Sequence, residues 1–221
     1  MERAVLYSYW RSSSSYRVRI VLNLKKVDYE YRPINLLKLS QGEQPPAEFL
    51  RLNPGGQVPT LLIDGHVLTQ SVAICEYLEE AVTGGVKLLP EDPAQRAQVR
   101  RVVEIVNSGI QPLHNSAVLD YLSSKFGDAA RTEWSKHWIH KGLIQLETIL
   151  QHSVGQGPYS FGKQLTLADA FLVPQIGHAE RFGVNMEEFP TLRKIYHTLI
   201  ELPEFAAAHP SRQPDAEEHL A

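Results

Sequence analysis

Along the first eighty residues the hydrophobic positions switch between two periods. Val5-Leu6-Tyr7 reads as a short buried strand, and Tyr29-Glu30-Tyr31-Arg32-Pro33-Ile34 alternates as a second. Between them, residues 14–26 carry Val18, Val21 and Leu22 at helical spacing, with Lys25 and Lys26 in the last turn, where cations complement the helix dipole. A strand, helix, strand unit implies parallel pairing of its two strands. Residues 36–47 read as irregular, and residues 48–52 as a short helix stopped by Asn53-Pro54-Gly55-Gly56. Thr60-Leu61-Leu62-Ile63 and His66-Val67-Leu68 flank Asp64-Gly65, a dipeptide that favours a tight hairpin turn. Ser71 stands where it can cap a helix with Ile74, Tyr77, Leu78 and Ala81 on one apolar face. The order is βαβαββα.

Thr83-Gly84-Gly85 and the prolines at 90 and 93 then break the pattern, and no strand is predicted beyond them. The division expected is a first domain at 1–83, a linker at 84–92 and an all-helical domain at 93–221. Asp92-Pro93 makes a cap and first-turn pair for a long helix reaching roughly to Tyr121. Trp134, Trp138, Leu143, Leu146 and Leu150 mark a further helix. Thr166-Leu167-Ala168-Asp169 reads as a capping box ahead of an apolar face of Ala170, Val173, Ile176 and Gly177. Residues 191–201 and 203–208 read as final helices, followed by a polar tail. Gly155-Gln156-Gly157-Pro158 is a loop whose glycines follow no strand, which rules out a dinucleotide fingerprint.

Composition narrows the partners more than the fold. With 43% hydrophobic and 21% charged residues in 221, the chain has the profile of an ordinary globular protein. Its formal charge of -3, with no basic stripe on a predicted face, argues against nucleic acid and for small molecules. No secretory signal is read in the first ten residues, and no apolar run approaches membrane-spanning length. A lone cysteine, Cys75, excludes an intrachain disulfide and a multi-cysteine zinc site, as a reducing compartment would favour, so the cytoplasm is expected.

Three places carry candidate chemistry. Ser12-Ser13-Ser14-Ser15 sets four hydroxyls where a strand passes into a helix, an arrangement suited either to an anion or to ordinary capping. Val58-Pro59 precedes a strand, where a cis proline would leave the backbone of Val58 free to pair with an extended peptide; a plain trans proline at a strand entry is the alternative. Gln70-Ser71 offers an amide and a hydroxyl beside the start of a helix, suited to a carboxylate. A small acidic peptide would satisfy all three. His137 and His140, three apart, lack an evident third ligand, so no metal is expected.

The chain resembles the zeta-class glutathione transferases, the family that includes maleylacetoacetate isomerase. The resemblance rests on Tyr7-Ser8-Tyr9-Trp10-Arg11-Ser12-Ser13, Arg17-Val18-Arg19-Ile20, Asn53-Pro54, Gln57-Val58-Pro59-Thr60-Leu61, Gln70-Ser71, Ile110-Gln111-Pro112-Leu113, Leu172-Val173-Pro174-Gln175, Ala179-Glu180-Arg181-Phe182 and Arg212-Gln213-Pro214-Asp215. It implies an α/β thioredoxin-like N-terminal domain followed by an all-α C-terminal domain, glutathione as bound thiol, and a homodimer. The family pattern usually reads Ser-Ser-Cys where this chain has Ser12-Ser13-Ser14, and Trp where it has Tyr16. Without a cysteine there, any sulfur nucleophile must come with the ligand.

Implied glutathione contacts are Ser12, Ser13, Ser14, Ser15, Tyr16, Arg17, Gln44, Val58, Pro59, Gln70, Ser71, Gln111 and Asn115, the last two read as sharing one face of a helix. Ser12 is the expected donor to sulfur, with Ser13 and Ser14 as neighbouring donors, and hydrogen bonds to the thiolate would favour its charged form. The implied substrate is a small unsaturated diacid, held by Arg11 beside the serine run and Arg181 on a second-domain helix. The implied reaction is conversion of maleylacetoacetate to fumarylacetoacetate by reversible thiolate addition to the cis double bond. Maleylpyruvate isomerisation, a broad glutathione transferase or haloacid dehalogenase activity, and a non-catalytic glutathione-binding module are the alternatives. Ser116 and Ala117 after Asn115, in place of basic residues, favour the longer diacid.

Overall fold

Four strands form one mixed sheet in the order β2-β1-β3-β4. β1 (Ala4–Ser8) pairs in parallel with β2 (Tyr29–Pro33) and antiparallel with β3 (Thr60–Ile63), which is antiparallel to β4 (His66–Thr69). Asp64 and Gly65 both take positive φ, 51° and 78°, as the tight hairpin turn demands. The structure, a computed structural model, describes residues 3–40, 42–152 and 157–216. Among these, no helix is long and apolar enough to cross a membrane. The expected loop at Gly155-Gln156 and the end of the tail lie outside the described residues.

α1 (Ser13–Leu24) links the parallel strands and is buried along almost its whole length, Arg17 and Arg19 included. It ends at Leu24 with Lys25 as its C-cap, so the two lysines expected in the last turn stand just past it. Lys25 is buried, with Nζ 2.9 Å from Glu79 and 3.3 Å from the carbonyl of Val86, and Lys26 turns the chain at a φ of 57°. Residues 36–40 are helical rather than irregular. α2 (Leu36–Ser40) is capped by Asn35, whose Oδ1 accepts the amides of Leu37 and Lys38 at 3.1 and 3.2 Å. Its Leu36 and Leu39 pack on a cluster of Tyr7, Tyr9, Ile34, Phe49 and Val58. α3 (Ala47–Leu52) contributes Phe49 to that cluster, and α4 (Ser71–Ala81) buries Ile74, Cys75 and Leu78.

The described chain divides into two units, and the expected boundary shifts accordingly. Residues up to Val86 group with those from Pro203 onward, and Lys87–Leu202 forms the second unit. The sequence reading placed the final residues with the helical domain. They belong to the first unit because α10 (Pro203–Ala208) is tied to α1: Asn23 donates to the carbonyl of Glu204 at 2.8 Å and Arg19 to that of Ala208 at 3.0 Å.

In the second unit, α5 (Pro93–Glu104) starts on Asp92, whose Oδ1 accepts the amide of Gln95 at 2.8 Å. The expected helix to Tyr121 is interrupted by a π turn (Ile105–Ile110) and a 3-10 turn (Gln111–His114), after which α6 (Ser116–Phe126) is capped by Asn115. Pro112 cannot donate to a helix ladder, and Ile110 packs onto Gly142 so closely that a Cβ there would lie 2.3 Å from it. α7 (Asp128–Leu150) carries that glycine, and its Glu147 accepts the amides of Thr191 and Leu192 at the start of α9 (Pro190–Ile200). α8 (Leu167–Arg181) opens with the expected capping box, and its Asp169 also accepts the amide and hydroxyl of Ser160 at 2.9 and 2.5 Å. Burial pushes Asp169 above the usual carboxylate range, while its Ser160 and Thr166 donors pull it back.

Candidate functional site

Sheet register brings the three suspected segments of the first unit to one end. Thr60 stands opposite Tyr7 on one side and Thr69 on the other. The loop leaving β1 toward Ser12, the Val58-Pro59 bond entering β3 and the Gln70-Ser71 step leaving β4 therefore emerge from the same row of the sheet. No acidic residue occupies the first turn of α1 or of α4, so the positive ends of both helices are available to an anion.

Ser12 is the N-cap of α1: its Oγ accepts the amide of Ser15 at 3.1 Å, which leaves the hydroxyl proton to donate elsewhere. Ser14 is half-buried, whereas Ser13 and Ser15 are buried. Among the described residues Ser15 Oγ has no hydrogen-bond partner. Arg11 is half-buried, with its guanidinium 5.3 Å from the centre of the Trp10 ring.

Val58-Pro59 is cis. Its loop is pinned by Asn53, whose Nδ2 donates to the carbonyl of Gln57 at 2.7 Å and to Thr60 Oγ1 at 3.0 Å while its Oδ1 accepts the amide of Gly55 at 3.1 Å. Asn53 was read as part of a helix stop and of the family motif, with no role in holding this loop. At α4 the capping assignment shifts by one residue. The chain enters through Gln70, exposed and held at a φ of 69°, and Ser71 is the first helical residue. Such a backbone conformation in a non-glycine residue costs about 1–3 kcal/mol and concentrates at functional sites.

Ser71 is joined to the serine helix from below. Arg17, fully buried, donates from Nη1 to Ser71 Oγ at 3.1 Å. Tyr16 is buried as well and donates to the carbonyl of Phe205 at 3.5 Å. Two of the residues implied as ligand contacts are thus turned toward protein groups. Cys75, beneath Ser71 on the same helix, is buried, and burial pushes its thiol far above the usual range, with Arg17 opposing the shift. It holds its proton and is no nucleophile. Gln44 lies exposed in the segment between α2 and α3.

Gln111, Asn115 and Arg181 belong to the second unit. Gln111 opens the 3-10 turn and Asn115 caps α6, accepting the amide of Ala117 at 3.0 Å, so they do not share a face of one continuous helix. Between them, buried His114 meets Gln175 Oε1 through Nε2 at 3.3 Å and packs at a tilt against His178 and Phe182, 5.3 and 5.8 Å between ring centres. Arg181, exposed at the end of α8, lies over the Phe182 ring at 5.7 Å. The His114 cluster therefore ties the Gln111–His114 turn to the end of α8 that carries Arg181. Of the paired histidines, His140 bonds Glu188 at 2.9 Å and His137 packs edge-on against Trp138. Among the described residues no group of three or more metal-ligating side chains is gathered.

A four-stranded mixed sheet entered through a cis proline, a serine at the start of its first helix and a helical second unit define the glutathione transferase class. The family model described as "Glutathione S-transferase, N-terminal domain" matches residues 11–81. The maleylacetoacetate isomerase of Mus musculus is 46% identical over 218 residues, 99% of this chain and 97% of its own. A crystal structure of the maleylacetoacetate isomerase from Anaeromyxobacter dehalogenans 2CP-1, with dicarboxyethyl glutathione and citrate bound in its active site, has a TM-score of 0.84 at 44% identity, covering 97% of this chain and 94% of that one. The holo structure of a bacterial zeta-class maleyl pyruvate isomerase has a TM-score of 0.89 at 41% identity, covering 96% and 99%. The chain belongs to the maleylacetoacetate isomerase family of zeta-class glutathione transferases.

Proposed function

We propose that this protein is a glutathione-dependent cis-trans isomerase acting on maleylacetoacetate. One observation carries the reading: a capping hydroxyl, Ser12, stands at the open positive end of α1 in a chain whose own lone thiol, Cys75, is buried in α4. The residues present fit an acidic thiol peptide. Ser12 and the first amides of α1 suit the sulfur, the backbone of Val58 suits the peptide main chain, and Gln70 with Ser71 suits a carboxylate. When bound, glutathione supplies a sulfur that adds reversibly to the cis double bond, so that rotation and loss of the same sulfur yield the trans isomer with no thiol consumed.

The chain's own residues have defined tasks in this reading. Ser12 donates its proton to the sulfur and favours the thiolate; Ser14 is a second donor; Arg17 holds Ser71 in place. Arg11 is assigned to a carboxylate of a small unsaturated diacid; of the second unit's residues, Arg181 is assigned to the diacid, and Gln111 and Asn115 to glutathione. The relative with bound dicarboxyethyl glutathione and citrate supports that substrate class. A homodimer in the cytoplasm completes the proposal. Maleylpyruvate, the substrate in the name of another close structure, is the second reading.

The test is incubation with glutathione and either maleylacetoacetate or maleylpyruvate, following isomer conversion and total thiol. Conversion of maleylacetoacetate at constant thiol is expected. Thiol loss points to a transferase, turnover of maleylpyruvate alone to the second reading, and glutathione binding without turnover to a binding module.

A further inference from the structure

The turn that presents Ser12 is fastened by residues from the far end of the chain. The Ser12 amide donates to the carbonyl of Tyr9 at 3.0 Å, closing a tight turn with Trp10 and Arg11 at its centre. Such a turn leaves the amide of its second residue without a partner inside it. Asp215, 6% exposed, takes that amide: Oδ2 accepts the N–H of Trp10 at 3.0 Å, and Oδ1 accepts the hydroxyl of Tyr31 on β2 at 2.7 Å. Arg19 holds two carbonyls of the same turn: its Nη2 donates to that of Trp10 at 3.2 Å and its Nη1 reaches that of Tyr9 at 3.4 Å. Both main-chain groups of Trp10 are therefore bonded to buried charged side chains of opposite sign, two residues before Ser12.

We infer that Asp215 is a positioning residue for the Ser12 hydroxyl, acting through the Trp10 amide to fix the turn between Tyr9 and Ser12. The inference rests on the reading that Ser12 faces the thiol sulfur. A carboxylate suits the task because its two oxygens serve two elements at once, β2 and the turn, and strong acceptors are needed for an amide and a hydroxyl out of water. Gln213 braces the approach to Asp215, donating to the carbonyls of Ala207 and His209 at 3.0 and 2.9 Å.

The experiment compares the full-length protein with Asp215→Ala, Asp215→Glu, Asp215→Asn and Tyr31→Phe, measuring kcat, KM for glutathione, and the pH titration of the bound thiolate by its ultraviolet absorbance. Asp215→Ala is expected to lower kcat roughly ten- to hundredfold, as displaced catalytic groups do, and to raise the bound thiol toward its free value of about 8.5. Asp215→Asn, which keeps an acceptor for the Trp10 amide, should return kcat to within about threefold of the parent, and Tyr31→Phe to within about twofold. Asp215→Glu keeps charge and polarity but displaces both acceptors, so it should show the raised thiol even if Asp215→Ala does not fold. The proposal is overturned if a folded Asp215→Ala or Asp215→Glu keeps the parent kcat and thiol titration, or if Tyr31→Phe is as impaired as Asp215→Ala. A parent protein that neither binds glutathione nor isomerises would sink the functional reading and this inference with it; a competent parent with unaffected variants sinks this inference alone.

Discussion

Replacing Ser12 by alanine separates two jobs that one oxygen performs. As N-cap, Ser12 Oγ accepts the Ser15 amide at 3.1 Å, and losing a cap costs about 1 kcal/mol of stability. As donor, its proton is proposed to reach the sulfur, and a hydrogen bond to a charged group is worth about 1.5–3 kcal/mol. At 1.36 kcal/mol per pKa unit, losing that bond raises the bound thiol by roughly one to two units. Turnover at neutral pH should then fall about ten- to hundredfold and recover as pH rises past the free thiol value of about 8.5. Ser12→Asp keeps the cap but has no proton to donate and adds a negative charge. It should melt near the parent temperature while losing at least as much activity as the alanine variant. Ser12→Thr should keep both jobs. The assay is kcat/KM against pH for all three, beside thermal melting. An alanine variant with full turnover, an unshifted pH profile, or an aspartate variant that restores activity would refute the role given to Ser12.

Three further outcomes follow from the packing around the site. Arg17→Met keeps volume but removes the donor to Ser71, and calorimetry should show glutathione affinity about tenfold weaker, with kcat near the parent; unchanged affinity would detach Ser71 from the site. Arg19→Met strips four acceptors, of which the carbonyls of Ala208 and Tyr9 and the hydroxyl of Ser8 lie in buried residues; relief of the guanidinium's desolvation offsets part of that loss. Urea unfolding should report about 3 kcal/mol lost, and less than about 1 would contradict the network. His209 is held below its ordinary 6.5 by burial, then by Arg19 and Arg212, so the unfolded chain takes its proton first as pH falls. Stability should be level above about pH 7, decline as pH drops through about 6.5, and flatten again below the folded-state value. His209→Asn, which can still cap the turn at Ser211, should remove that part of the decline in urea midpoints.

What the sequence disclosed is what short windows contain. β1, β2 and the hairpin were legible because a short apolar run, period-two alternation and Asp64-Gly65 are local signals, and the capping box at Thr166 is written in four consecutive residues. α2 was missed because five residues cannot establish a helical period; Asn35 beneath it and the apolar cluster that receives Leu36 and Leu39 decide its conformation. The break after Glu104 had a visible sign in Pro112, but the packing of Ile110 onto Gly142 that accompanies it joins residues 32 positions apart.

The site divides along the same line, with its ligand-facing groups legible and its supports hidden. Ser12 to Ser15, Val58-Pro59 and Gln70-Ser71 each announce themselves within a few residues. The partners that hold them are separated by 54 residues for Arg17 and Ser71, 189 for Arg19 and Ala208, and 205 for Trp10 and Asp215. Arg17-Val18-Arg19 was legible as a motif, but nothing within those three residues tells which element each arginine meets. Two residues apart on an α-helix are about 200° apart around its axis, so one arginine faces α4 and the other faces α10. A helix covered on both sides is ordinarily apolar all round. α1 can be charged instead because each guanidinium finds fixed acceptors: a hydroxyl at the start of α4 for Arg17, and carbonyls of the turn and of α10 for Arg19. The burial of these arginines is what makes their positions exact enough to hold the serine turn on one side and Ser71 on the other.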